Sequence, residues 1–248
     1  MARTHDFSSL LASHAPIDDA DRTLAADALA AITALPAGAV IATDCDNTVW
    51  AGDVGDELVR LAEDQPHLFG ERKVDFQAYA QQMETDYEAA CLASAALGRT
   101  RAEPEVRAAL ASRLQAHVRP RVWLVEALLA AAARGVRVIA VSASGRLAVE
   151  VGLAQMGLWG HCDVIAVDPI DGGFRAPWPI GHGKPACLRA AGMTTVDLAI
   201  GDSRWDGPLL DFGRRGVLLV PAADDPTTPL SMAEVHADAA RAAAGVAP

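Results

Sequence analysis

The stretch Ala39-Val40-Ile41-Ala42-Thr43-Asp44-Cys45-Asp46-Asn47-Thr48 decides the fold. A short apolar run with β-branched residues stops abruptly at a carboxylate cluster. That is the pattern of a buried strand delivering polar side chains at its C-terminal end. Two later segments repeat it. Val136 to Val141 leads into Ser142-Ala143-Ser144-Gly145, and Leu198 to Ile200 leads into Gly201-Asp202-Ser203-Arg204-Trp205-Asp206. A lysine, Lys184, lies in Gly181-His182-Gly183-Lys184, a loop that opens the helix before the third of these strands.

Working outward, Pro16 to Leu35 reads as a helix. Asp18 or Asp19 caps it, Leu24, Leu29 and Ile32 form its apolar face, and Pro36-Ala37-Gly38 ends it. From about Asp53 to Val118 the chain reads as helical, with helices predicted over Asp56–Gln65, Asp75–Leu97 and Pro104–His117. After Pro120, helices at Leu124–Arg134, Arg146–Met156 and Pro185–Ala191 alternate with strands at Val136–Val141, Val164–Val167, Leu198–Ile200 and Gly216–Val220. Such alternation predicts a parallel α/β sheet, here split by a helical insert. Ligands of such sheets bind beyond the carboxyl ends of the strands, where the polar clusters fall.

Bulk properties narrow the function. The chain has 248 residues, 51% of them hydrophobic, enough for a buried core. The net charge of −11, with no basic cluster, argues against nucleic acid as a partner. No apolar run reaches the length of a membrane span. Met1 to Ala15 has no apolar stretch of the kind that precedes a signal cleavage site. Cys45, Cys91, Cys162 and Cys187 show no metal-ligand spacing and read as reduced thiols, so the expected location is the cytoplasm. The seven histidines form no metal-binding pair; His182 reads as a solvated loop residue.

Asp44, Asp46, Asp202 and Asp206 at one sheet edge repel one another unless a cation neutralises them. Hard oxygen ligands suit Mg²⁺. A carboxylate can also attack phosphorus while a lysine and a hydroxyl stabilise the transferring oxygens. Each piece has an ordinary reading by itself: an Asx turn or calcium-loop fragment for Asp44 to Thr48, a helix cap for Ser142 or Asp206, a surface charge for Lys184. The combination, in this order and after separate strands, is what points to phosphoryl chemistry.

The order DxDxT, then Ser after a strand, then Lys, then GDxxxD resembles the four motifs of phosphatases of the haloacid dehalogenase superfamily. The resemblance implies a Rossmann-like parallel sheet built from residues 1–52 and 119–248, with an inserted all-helical C1 cap at 53–118, as in the phosphoserine phosphatase-like and phosphocholine phosphatase-like branch. It implies that Asp44 is the nucleophile and a Mg²⁺ ligand, and that Asp46 is the acid/base, with its carbonyl on the metal. Thr48 and Ser142 match the hydroxyl positions, with Ser142 and neighbouring Ala143 at the phosphate. Lys184 matches the residue that neutralises phosphate, Asp202 the direct metal ligand, and Asp206 its support. Cys45, Asn47 and Ala143 depart from the commoner residues of the motifs.

The implied substrate is a small phosphorylated metabolite. Asp53 stands near the position where phosphoserine phosphatases carry a glutamate for the substrate amine. The arginine that would hold a carboxylate is missing, since its position falls near Met83, and Arg72 and Arg99 sit elsewhere. Aromatic faces beside a carboxylate recognise ammonium groups. Trp50, Tyr79, Tyr87 and Trp205 with Asp53 therefore point to an amine-bearing ester of the phosphocholine or phosphoethanolamine type. Packing is the competing role of the aromatics, and helix capping that of Asp53. The competing functions are a phosphoserine phosphatase, a phosphotransferase, and a non-catalytic metabolite-binding protein of the same fold. A phosphonate hydrolase would need a cap lysine, and Lys73, among Glu71, Arg72 and Asp75, reads as solvated.

Overall fold

The computed structural model describes residues 19–70 and 72–219. At its centre β1 (Val40–Thr43) lies between β4 (Arg137–Gly145) and β8 (Leu198–Gly201), flanked in turn by β5 (Asp163–Val167) and β9 (Gly216–Leu218). All four pairings are parallel, with Thr43 beside Ala140 and Ile200. Successive side chains point to opposite faces. Ile41, Val138, Ala140, Leu198 and Ile200 join one apolar layer, whereas Ala42, Ile139, Val141 and Ala199 join the other. Both faces are covered, which is why the strands read as continuous apolar runs.

The first layer is roofed by α1 (Asp19–Thr33), α6 (Val122–Ala133) and α7 (Arg146–Gln155), the second by α8 (Gly183–Ala190) and α9 (Gly207–Phe212). The predicted cap at Asp18 lies outside the described residues, as do the side chains of Asp19 and Leu24 and the predicted strand end at Val220.

Between β2 (Trp50–Ala51) and β3 (Arg119–Pro120) run α2 (Val54–Asp64), a 3₁₀ turn (Pro66–Phe69), α3 (Phe76–Thr85), α4 (Tyr87–Leu97) and α5 (Glu103–His117). β2 and β3 pair antiparallel, so the helical segment leaves and re-enters at one two-stranded ribbon. Arg113 of α5 ties down α2 through Glu57 at 2.5 Å and Asp64 at 2.7 Å. α4 lies directly on β4: a Cβ at Gly145 would stand 2.7 Å from Ala95 Cα, so only glycine admits this approach.

The helix predicted over Asp75–Leu97 is in fact two. Asp86, at φ −149° and ψ 78°, ends α3 and N-caps α4 by accepting the Ala89 N–H. Its side chain satisfies an orphan donor, and that favours a new helix start over continuation. Besides the β2–β3 ribbon and the 3₁₀ turns, two more features had no counterpart in the sequence reading. One is the hairpin of β6 (Pro169–Ile170) and β7 (Gly173–Phe174), turned at Asp171-Gly172; the other is α9, whose first two residues are a Gly-Pro pair. Among the described residues no helix is long and apolar enough to cross a membrane.

Candidate active site

Asp44 follows β1 directly, its N–H donating to Ile200 O at 2.8 Å. The chain then turns tightly, with Thr48 N and Val49 N donating to Cys45 O and Asn47 in the left-handed region at φ 56°. Asparagine tolerates that conformation better than other side-chain-bearing residues, and its own amide oxygen accepts the Gly52 N–H at 3.0 Å. The turn brings Thr48 Oγ1 back to 2.8 Å from Asp202 Oδ1 and 3.2 Å from Asp44 Oδ2. One hydroxyl thus joins carboxylates from two strand ends.

Lys184, at the start of α8, reaches across the same edge. Its Nζ donates to Asp44 Oδ1 at 2.6 Å and Asp206 Oδ1 at 2.5 Å, and only 2% of the residue is exposed. Burial alone would push this ammonium down, but Asp206 and Asp44 more than reverse that and hold it protonated. Asp206 Oδ2 accepts from Asp202 N, Ser203 N and Ser203 Oγ, at 3.2, 3.1 and 3.0 Å. Both of its oxygens are engaged, so Asp206 organises the loop and the lysine.

The carboxyls remain under strain. Burial, then repulsion from Asp206, raises Asp44 well above the usual carboxylate range, against the pull of Lys184. Asp202 is pushed up to about 7, by burial and then by Asp206, although Thr48 donates to it. One lysine faces Asp44, Asp202 and Asp206, whose carboxylate oxygens approach within 4.8 Å of one another. An all-oxygen donor set short of positive charge fits a hard divalent cation. Asp44 and Asp202 are the members with an oxygen committed neither to Lys184 nor to the Asp202–Ser203 loop, whereas Asp206 spends one oxygen on each.

Asp46 points the other way, towards the helical segment. Its Oδ1 accepts from Trp50 Nε1 at 2.9 Å and Val54 N at 2.8 Å; its Oδ2 accepts from Ser144 Oγ at 2.7 Å, with Ser142 Oγ at 3.4 Å. Burial raises it, opposed by Val54, Ser144 and Trp50.

The remaining predicted residues fall as follows. Trp50 is wholly buried and offers Asp46 its N–H, with its ring edge against α7 at Gly152. Asp53 N-caps α2 through the Asp56 N–H at 2.9 Å. Its carboxyl is raised well above the usual range by burial, then by Asp46 and Asp56. Asp56 shares a hydrogen bond with Tyr79, while its Oδ1 is buried without a partner. Tyr87 of α4 stacks on Trp205, centroids 4.5 Å apart and planes at 12°. Ala143 turns its methyl into an apolar cluster with Cys91, Ala95, Val167 and Ile180. Arg72 and Arg99 are spent elsewhere, the first on Ala96 O and the second on Ile170 O and Asp171. His182 is exposed, in keeping with the sequence reading, and Trp178 packs against Phe174.

The residue overlooked in the sequence is Ser144. The signal was its spacing: two residues beyond Ser142 on one strand, it presents its hydroxyl on the same side.

A family model of haloacid dehalogenase-like hydrolases matches residues 41–211, and the chain belongs to that family of enzymes. Among solved structures, it is similar to a protein of unknown function from Bordetella pertussis Tohama I, at 19% identity and a TM-score of 0.58 over 85% of this chain and 97% of that one. Similar too is cytosolic 5'-nucleotidase IIIB bound to cytidine, at 17% identity and a TM-score of 0.51 over 86% and 81% of the two chains. A substrate-bound phosphoserine phosphatase complex follows, at 17% identity and a TM-score of 0.50 over 72% and 84%. These likenesses establish a shared fold. No curated protein matches the chain.

Proposed function

We propose that this hydrolase is a magnesium-dependent phosphatase that cleaves a small phosphomonoester through a phospho-aspartate on Asp44. The observation that carries the reading is the Lys184 ammonium held between Asp44 and Asp206 beside Asp202 at the sheet's carboxyl edge. A buried cation next to a strand-end carboxylate both lowers the cost of bringing in a phosphate dianion and orients the nucleophile.

Asp44 attacks phosphorus in line, and the bond from phosphorus to the ester oxygen breaks as the acyl phosphate forms. Asp46 gives its proton to the departing alkoxide, then takes one from the water that hydrolyses the acyl phosphate. Lys184, Thr48 and Ser142 hold the transferring oxygens, and the backbone at Ala143 completes the cradle. Asp44, Asp202 and the Asp46 carbonyl would hold Mg²⁺, with Asp206 supporting them. The ion would supply Lewis-acid charge at the phosphoryl oxygens. In this reading residues 1–52 and 119–248 are the core. Residues 53–118 are a C1 cap that keeps bulk water from the reacting ester.

For the leaving group the reading favours an amine-bearing alcohol, as in phosphocholine or phosphoethanolamine. Asp53, Asp56 and Asp46 repel one another, and Asp56 Oδ1 lacks a donor. A substrate cation would relieve both. A phosphoserine phosphatase would in addition need a cation for the substrate carboxylate, and Arg72 and Arg99 are engaged elsewhere.

The test is phosphate release from phosphocholine, phosphoethanolamine, phosphoserine, histidinol phosphate and sugar phosphates, with Mg²⁺ or EDTA. Mg²⁺-dependent turnover concentrated on the amine esters is expected. Asp53→Asn, which still caps α2, is expected to erase that preference. Metabolite binding without turnover would favour a non-catalytic protein, and a preference for phosphoserine would overturn the amine-only assignment.

A further inference from the structure

We infer that Ser144 is a positioning residue for Asp46, setting the direction in which that carboxyl meets the leaving group. The inference rests on the phosphatase reading above and adds a residue to it. A carboxyl group turns freely about its last bond unless both oxygens are held. At Asp46 they are held from opposite sides. The Trp50 indole and the Val54 N–H, at the start of the helical segment, take Oδ1; the Ser144 hydroxyl, from the strand, takes Oδ2 at 2.7 Å.

Ser142 is the weaker donor of the two, at 3.4 Å from the same oxygen, and its Oγ is occupied as acceptor of the Ser144 N–H at 3.0 Å. The backbone is shaped for this arrangement. β4 shifts register against β5 between Val141 and Gly145, and that irregularity spans both serines. Such bulges re-aim side chains at strand ends. Opposite Ser144 stands Gly55, where a Cβ would lie 2.9 Å from Ser144 Oγ, so the first turn of α2 leaves the hydroxyl its place. With 8% of its surface exposed and Asp46 as its side-chain acceptor, Ser144 has little to do but hold that acid.

A residue that acts through a general acid matters most where the leaving group needs a proton. The test compares phosphoethanolamine, whose alkoxide leaves poorly, with p-nitrophenyl phosphate, whose phenolate leaves unaided. The reading is kcat/KM, which reports the steps up to departure of that group. Ser144→Ala is expected to lose about 10²-fold on the alkyl ester, and at least roughly tenfold less on the nitrophenyl ester. In the Asp46→Asn background the same substitution is expected to cost little further, because its partner is already gone. Equal losses on both esters, or additive losses in the double variant, would overturn the inference and leave the phosphatase reading intact. No turnover of either ester by the unmodified protein would overturn both.

Discussion

Lys184 is where single-residue chemistry weighs most. Its ammonium is buried with two carboxylates, and such a pair is costly to break because the partner charges stay behind. Lys184→Met should therefore lower stability by about 3–5 kcal/mol in urea denaturation with EDTA present, and should abolish turnover. A variant as stable as the parent would mean that Asp44 and Asp206 take up a proton or another cation in its place. At this scale the sequence was informative about identity and silent about partners. Asp44, Thr48, Lys184, Asp202 and Asp206 were picked out by type and order, and the fold gathers them. It was not legible that Thr48 would bridge Asp44 to Asp202, or that Asp206 would spend both oxygens on Lys184 and its own loop. Nor was it legible that Trp50 would be closed to solvent and serve Asp46 through its N–H. Those pairings depend on side-chain directions across strand ends far apart in sequence.

Among the elements, α4 carries the tightest constraint, because Ala95 sits where a Cβ of residue 145 would be. Gly145→Ala should push α4 from β4 at a cost of about 1–3 kcal/mol, the usual range for overpacking. Turnover should fall with it, since Tyr87 and Cys91 ride on the same helix; thermal melting and the phosphate assay check the two effects. Strands β1, β4, β5 and β8 were readable because burial on both faces demands unbroken apolar runs. The break at Asp86 was not, because the apolar spacing of Tyr79, Met83, Tyr87 and Cys91 runs across it as one helix would. The Asp171-Gly172 pair is an ordinary hairpin signal that flanks of only two residues made easy to pass over.

For the whole molecule the balance of charge at one sheet edge sets the response to pH and metal. Asp44, Asp46 and Asp202 are all raised, chiefly by burial, so the metal-free fold keeps protons that an unfolded chain releases near pH ~4. Their contribution to stability is thus present at low pH and is lost as pH rises, for Asp202 through about 7. Melting in EDTA should shift down as pH goes from roughly 5 to 8, while the upward shift caused by Mg²⁺ should grow, because the ion displaces those protons. A Mg²⁺ effect that shrinks with rising pH would contradict the site described here. The central claim is the covalent step on Asp44, and acid-quenching the enzyme during turnover of its best ester, followed by peptide mapping, tests it most directly. A phosphoryl group on the peptide that carries Asp44, absent from Asp44→Asn, is the predicted result; turnover with no phosphoryl-enzyme, or with the group on another residue, would contradict it.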